Sequence, residues 1–369
     1  MKKFKSYIFK HRWTLEWALR LFGGRQILAD YFISRIISIG VPYVDATDVF
    51  NKIRSLEDWV KLWYRLGLRR EFLAKEAESK ACFQTAAASW MMARALFQVA
   101  QFPFYGQTDL KEKVYKRCAN AYAKAAPYLH PPAQRIEIPF HSISLPGYLR
   151  LPMTGSSERC LVIFGGIDGV KEEMHYYGDY FVHRGFSVLY FDAPGLGESW
   201  TKVKMDPNYT FLGEAIHKFL ENNSQIKFKK IGLLGVSLGG NMALHIAASK
   251  WPVHSCVSIS APFCPKKYFH HLVFLVQKAA HHIVGDKTLL DLFMDKISLE
   301  GVICNIGCPL LVIGGARDTI LPGEEALKIY QEATGVKKLL YYPDATHGCP
   351  EKTIEMFWKI EQWFNETMK

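Results

Sequence analysis

Long apolar runs are missing from this chain. A membrane-spanning helix needs about 20 consecutive apolar residues. The most apolar early stretch, 27–44, is interrupted by Asp30 and Arg35. Met1 to Trp13 is basic and aromatic and lacks the unbroken apolar core of a secretory signal. These features predict no membrane span and a cytoplasmic location. Eight cysteines occur without a C-x-x-C pair, and the nearest two, Cys304 and Cys308, have a spacing poorly suited to metal binding or redox exchange. A disulfide framework is therefore excluded in favour of reduced, mostly buried thiols. The doublets His270-His271 and His281-His282 match no zinc pattern and read as polar groups of a surface or a substrate pocket. No metal and no organic cofactor are expected. No fixed period recurs, which removes helical repeat architectures.

Acidic residues are scarce at the start. Residues 1–133 hold 22 Lys/Arg against 11 Asp/Glu, whereas residues 134–369 hold 24 of each, so the first part carries the whole net charge of +11. Such an excess suits nucleic acid, a membrane surface, an acidic protein or substrate, or simply a solvated helical face, and charge alone does not choose among them. No nucleic-acid motif accompanies it, and no nucleic-acid partner is expected.

With 49% hydrophobic residues in 369, the chain can bury two cores. Residues 1–133 show apolar positions at helical spacing and no strand signal, predicting an all-helical N-terminal domain. Ser55, followed by Glu57 and Asp58, reads as a helix start. The longest helices are predicted at 76–101 and 109–128, separated around Pro103 and Gly106, and Pro131-Pro132 reads as a linker. From 134 the texture changes to short β-branched runs alternating with helical patterns, which predicts an α/β domain over 134–369 with a mostly parallel eight-stranded sheet. The strands are placed at 135–140, 143–151, 160–165, 187–192, 230–236, 255–260, 310–314 and 338–342. Between the sixth and seventh, residues 263–306 are largely apolar with helical spacing, as expected of a lid inserted above the carboxyl ends of the strands.

The motif Gly235-Val236-Ser237-Leu238-Gly239 lies between a strand run and a helical run. Strand, sharp turn and helix in that order present a serine hydroxyl at the carboxyl edge of a sheet, and glycines relieve crowding around the turn. A serine nucleophile requires a base, and the base requires an acid that fixes its tautomer. Asp318 follows the seventh strand and His347 the eighth, giving the order Ser, Asp, His of α/β-hydrolases. Asp344 is a rival acid, too close to His347 in sequence to reach across comfortably. Oxyanion donors are expected from the N–H of Leu238 and from the loop Gly165-Gly166-Ile167-Asp168-Gly169, with Ile167 as the second donor and Gly166 as the alternative. The segment Asp192-Ala193-Pro194-Gly195-Leu196-Gly197-Glu198-Ser199 reads as a structural turn.

Together with the serine motif, Gly165-Gly166-Ile167-Asp168-Gly169-Val170-Lys171-Glu172-Glu173 resembles the Gly-Gly-Leu-Asp/Glu-x-x-Lys-Glu-Glu stretch of one α/β-hydrolase group. That group contains 2,6-dihydroxypseudooxynicotine hydrolase, the fungal pigment-pathway hydrolase that shortens a polyketide, and the FrsA-like proteins. The helical domain ahead of the sheet is similar as well. The resemblance implies a homodimeric hydrolase that cleaves a carbon–carbon bond next to a ketone, or an ester or thioester. Its small-molecule substrate would be medium-sized, aromatic or polyketide-like, enclosed by the helical domain and lid. It also implies substrate or loop contacts from Asp168, Glu172 and Tyr177, although Lys171-Glu172-Glu173 reads equally as a helix-start charge cluster. The basic helical domain is a departure that would suit a substrate linked to a carrier protein or CoA, or an anionic one. Two other readings share the fold: an acyltransferase using the same acyl-enzyme, and a binding or regulatory protein without turnover.

Overall fold

A computed structural model describes residues 8–102, 108–155 and 157–369. Its residues divide into two compact units, one of Met1–Pro132 with His270–His282, the other of Ala133–Phe269 with Ile283–Lys369.

The first unit is helical: α1 (Arg12–Ile27), α2 (Ala29–Ser38), α3 (Tyr43–Lys52), α4 (Leu56–Ser79), α5 (Phe83–Ala100) and α6 (Thr108–Ala125). Ser55 caps α4 by accepting the Asp58 N–H at 3.0 Å, with Glu57 and Asp58 in the first turn facing the positive end of the helix. Trp59 and Trp63 are buried against each other and Phe50, and the Trp59 indole N–H finds the Val99 carbonyl at 2.8 Å. Gly67 lets α4 approach α5 closely, since a Cβ there would lie 2.7 Å from the Phe97 ring.

The helix predicted over 76–101 is two elements. Residues 76–79 close α4, and α5 begins at Phe83. Ala81 turns left-handed (φ 57°), and the Cys82 N–H returns to the Ala77 carbonyl at 2.9 Å, a closure characteristic of a helix end. Glycine ordinarily marks that conformation. The predicted break around Pro103 and Gly106 lies outside the described residues.

The second unit is built on eight strands: β1 (Gln134–Phe140), β2 (Ile143–Arg150), β3 (Arg159–Phe164), β4 (Ser187–Phe191), β5 (Lys230–Val236), β6 (Ser255–Ile259), β7 (Leu310–Gly315) and β8 (Lys337–Tyr342). Their order is β1-β2-β4-β3-β5-β6-β7-β8. The β1–β2 and β2–β4 pairs are antiparallel and all others parallel. This is the α/β-hydrolase sheet predicted from the alternating runs. β4 and β6 are buried along their full length, as strands covered on both faces must be, whereas β1 alternates between exposed and buried positions from Arg135 to Phe140.

The flanking helices are α7 (Lys171–Val182), α8 (Tyr209–Asn222), α9 (Leu238–Ala247), α12 (Glu324–Glu332) and α13 (Thr353–Thr367). The inserted region holds α10 (Phe274–Val284) and α11 (Lys287–Lys296). Its middle, His270–His282, groups with the helical unit. Among the described residues, no helix is long and apolar enough to cross a membrane.

Candidate active site

The carboxyl ends of β5, β7 and β8 carry the three residues that the motif and chain order single out. β5 ends in Val236, and Ser237 follows at φ 57° and ψ −125°, outside the ordinary range for a side chain-bearing residue, with α9 starting at Leu238. Such strain persists only where surroundings impose it. Here the Ser237 N–H donates to the Ile259 carbonyl at 2.8 Å, and the Ser237 carbonyl receives the Gly240 N–H at 2.9 Å. The glycines of the motif make the turn possible. A Cβ at Gly235 would collide with the Gly239 carbonyl, and one at Gly239 with the carbonyls of Phe164 and Gly165. The loop leaving β3 therefore lies against the start of α9. A Cβ at Gly166 would sit 3.2 Å from Ser237 Cβ and 3.6 Å from its Oγ.

Leu238 opens α9, so its N–H has no acceptor within the helix, and the positive end of the helix dipole points the same way. Gly166 and Ile167 lie on the facing loop, which folds through a Gly169 N–H to Gly166 carbonyl turn of 2.9 Å. Asn241 anchors the same helix: it is fully buried and donates to the carbonyls of Pro262 (2.9 Å) and Ile297 (2.8 Å), tying α9 to the chain just before the insertion and just after α11.

Asp318 and His347 meet. The Nδ1 of His347 lies 2.6 Å from Asp318 Oδ2, and since a carboxylate only accepts, the hydrogen of this bond is on Nδ1. The other oxygen, Oδ1, accepts the N–H groups of Ile320 (2.8 Å) and Leu321 (2.9 Å), which fixes the plane of the carboxylate. The rival Asp344 pairs with Lys352 at 2.7 Å. The two loops are stitched together by the Arg317 N–H to Ala345 carbonyl bond of 3.0 Å. A Cβ at Gly348 would be 3.7 Å from Val236 Cγ1, placing the histidine loop beside the serine turn. Cys349, next along, is no rival nucleophile: burial first, then the Asp318 and Glu351 carboxylates, push its thiol up to about 12.

Asp168 is half-buried in the loop after β3. Glu172 and Tyr177 lie in the packing of α7, where Glu172 has no exposed surface and contacts Lys171 Nζ at 2.6 Å, and Tyr177 packs on the Phe357 ring at 5.1 Å. Lys171, at the start of α7, is the centre of a buried charge cluster. Its backbone N–H and Nζ bind the two oxygens of Asp192 at 2.7 and 2.9 Å, and Nζ meets Glu198 at 2.6 Å. Burial lowers its pKa, but Asp192, Glu172 and Glu198 outweigh burial and hold the ammonium above its ordinary range. The turn after β4 is thereby bound to the loop after β3. Glu325 is buried as well, and its Oε2 accepts the N–H groups of Phe263 (2.8 Å) and Cys264 (3.1 Å) where the inserted region departs. Nothing in its surrounding sequence distinguishes it from a surface glutamate. Among the described residues, no cluster of His, Cys, Asp or Glu is arranged to hold a metal ion.

Comparison with known proteins identifies the family and the fold. The family model for FrsA-like esterases matches residues 44–283. The chain is 28% identical over 292 residues to 2,6-dihydropseudooxynicotine hydrolase of Paenarthrobacter nicotinovorans, with 78% of each chain covered. It is 24% identical over 302 residues to esterase FrsA of Vibrio cholerae, covering 76% of this chain and 71% of that one. The crystal structure of 2,6-dihydroxy-pseudo-oxynicotine hydrolase superposes with a TM-score of 0.82 at 25% identity, over 91% of this chain and 95% of that one. AbyA5 is similar in fold alone, with a TM-score of 0.70 at 17% identity over 99% and 93% of the two chains.

Proposed function

The chain belongs to the FrsA-like esterase family and is an α/β-hydrolase enzyme, and we propose that it works through Ser237 as nucleophile, His347 as general base and Asp318 as the acid that orients the histidine. The observation that carries this reading is the 2.6 Å contact of His347 Nδ1 with Asp318 Oδ2, on loops stitched beside the strained turn of Ser237.

In this mechanism Ser237 Oγ attacks a substrate carbonyl carbon while its proton passes to His347 Nε2, and Asp318 stabilises the resulting imidazolium. The negative charge that develops on the carbonyl oxygen is met by the Leu238 N–H and by one from Ile167 or Gly166, each such donor being worth about 10²–10³ in rate. For an ester or thioester the alcohol or thiol then leaves with the proton from His347. For a β-diketone the bond to the neighbouring carbon breaks and a stabilised enolate leaves, taking the same proton at carbon. Water activated by His347 releases the acid and restores Ser237.

The substrate class is a medium-sized aromatic or polyketide-like ketone, ester or thioester. Support for carbon–carbon cleavage is the similarity to 2,6-dihydropseudooxynicotine hydrolase, and for ester cleavage the similarity to the FrsA esterases. Asp168, half-buried on the loop that faces the serine turn, is the side chain we assign to the substrate.

Labelling with a fluorophosphonate probe, read by peptide mass spectrometry, tests the nucleophile without the substrate. Modification at Ser237 in the wild type, absent in Ser237→Ala and suppressed in His347→Ala, is the expected result. A wild-type protein that stays unmodified with its serine accessible would overturn the assignment.

A further inference from the structure

Between the serine turn and the histidine loop stands one residue that neither motif contains. Ser260, the residue after β6, is 5% exposed and holds a left-handed backbone (φ 47°) that a side chain-bearing residue adopts only under constraint. Its neighbours impose that constraint from three directions. The carbonyl of the preceding Ile259 accepts the Ser237 N–H at 2.8 Å, the Ser260 N–H donates to Ile313 on β7 at 2.8 Å, and its Oγ accepts the Gly348 N–H at 3.0 Å. The dipeptide Ile259-Ser260 thus bonds to the serine turn, to the strand leading to Asp318, and to the residue after His347.

The Gly348 bond carries the greatest consequence. His347 and Gly348 are the central residues of a turn closed by the Cys349 N–H on the Thr346 carbonyl at 3.0 Å, and Gly348 has φ 76°, the value that a type II turn requires at its third position. Type I and type II turns differ by a flip of the central peptide, here the one joining His347 to Gly348. Only one orientation of that peptide aims the Gly348 N–H at Ser260 Oγ. The bond therefore pins the peptide that leaves His347, and with it the Cα from which the imidazole projects, to the end of β6 that also binds the serine turn.

We infer that Ser260 is a positioning residue for His347: by accepting the Gly348 N–H it tethers the turn that carries the imidazole, beside Asp318, to the strand end that binds the serine turn. This rests on the proposed roles of Ser237, His347 and Asp318. It needs no contact of Ser260 with substrate, and it explains why a strained serine stands where glycine would be easier to accommodate.

Two variants separate the hydroxyl from the backbone. Ser260→Ala removes Oγ and keeps a Cβ in the left-handed conformation; Ser260→Gly removes Oγ and relieves it. Both are expected to slow fluorophosphonate labelling of Ser237 by about tenfold or more, the glycine variant no less than the alanine one although it melts at a higher temperature. Both are also expected to lose or broaden the downfield proton resonance of His347 Nδ1–H, assigned by its absence in His347→Ala. Labelling at the wild-type rate in either variant, or rates that follow melting temperature, would overturn the inference. If the wild type itself is not labelled, the nucleophile assignment fails, and the resonance still decides about Ser260: an unchanged signal in both variants rejects its positioning role.

Discussion

At the scale of single residues, the strained positions divide into those a sequence announces and those it does not. Ser237 is announced, because its left-handed turn needs glycine at 235 and 239, and the collisions a Cβ would meet at each show why. Ser260 and Ala81 take left-handed angles with no glycine and no motif, since long-range hydrogen bonds or a helix end impose them. The pairing of His347 with Asp318 stands between these cases. Chain order places both on strand ends, but choosing between Asp318 and Asp344 depends on the stitched loops and on Lys352, which holds the nearer carboxylate away at 2.7 Å. A consequence follows for Asp318→Asn. The amide keeps the shape and the acceptor for Ile320 and Leu321, yet it can turn an NH₂ toward Nδ1 and favour the imidazole tautomer with its hydrogen on Nε2. Labelling of Ser237 is expected to fall by roughly 10³–10⁴-fold with little change in melting temperature. A loss below tenfold would show that Asp318 does not orient the base.

At the scale of elements, all eight strands are legible because β-branched runs with turns between them have few other structures available, and their predicted bounds lie within about two residues of the observed ones. The break between α4 and α5 is illegible for the reason Ala81 is. The coupling of the loop after β3 to the turn after β4 is illegible too, since the Lys-Glu-Glu sequence at the start of α7 shows charge but not that Lys171 is wholly enclosed by Asp192, Glu172 and Glu198. Removing one partner of a buried ion cluster leaves the others uncompensated, so Lys171→Met is expected to destabilise by about 3–5 kcal/mol, measured by urea unfolding. Glu198 gives the cluster a pH signature. Burial raises its pKa, but Lys171 and Arg135 outweigh burial and hold the carboxyl below its ordinary range. A depressed folded pKa contributes stability above the unfolded value, about 4.3, and that contribution is lost as the pH falls through the folded value. Glu172 works in the opposite sense, since burial raises its carboxyl despite Lys171. Glu198→Gln is therefore expected to lower stability at pH 7 and to flatten its decline between about pH 5 and pH 3. An unchanged slope would show that Glu198 gains nothing from its cationic neighbours.

At the scale of the whole molecule, the inserted region is the feature that composition misplaces. Read in sequence, residues 263–306 form one apolar, helical insertion belonging to the hydrolase domain. In the structure its middle leaves that unit: His270–His282 groups with Met1–Pro132, and the chain returns at Ile283. The Phe274 N–H donates to the Phe9 carbonyl at 2.9 Å, and Val273 and Phe274 pack on the core that includes Phe50, Trp59 and Trp63. Nothing local signals this, because an apolar stripe on a helix records that it is covered, not by what. The physical consequence is that a cut at the linker does not separate two self-sufficient pieces. Residues 133–369 expressed alone would keep the sheet but expose the apolar side chains of 273–282 to water. Such a fragment is expected to bind a hydrophobic dye and to aggregate. Replacing 270–282 in it by a Gly/Ser linker of equal length removes that surface, and this second fragment is expected to remain monodisperse with a cooperative thermal transition. The two fragments together decide the point by light scattering and dye binding. If the unmodified fragment stays monodisperse and dye-free, residues 270–282 do not need the helical unit. If both aggregate, the sheet itself depends on residues 1–132, and the dependence extends beyond residues 270–282.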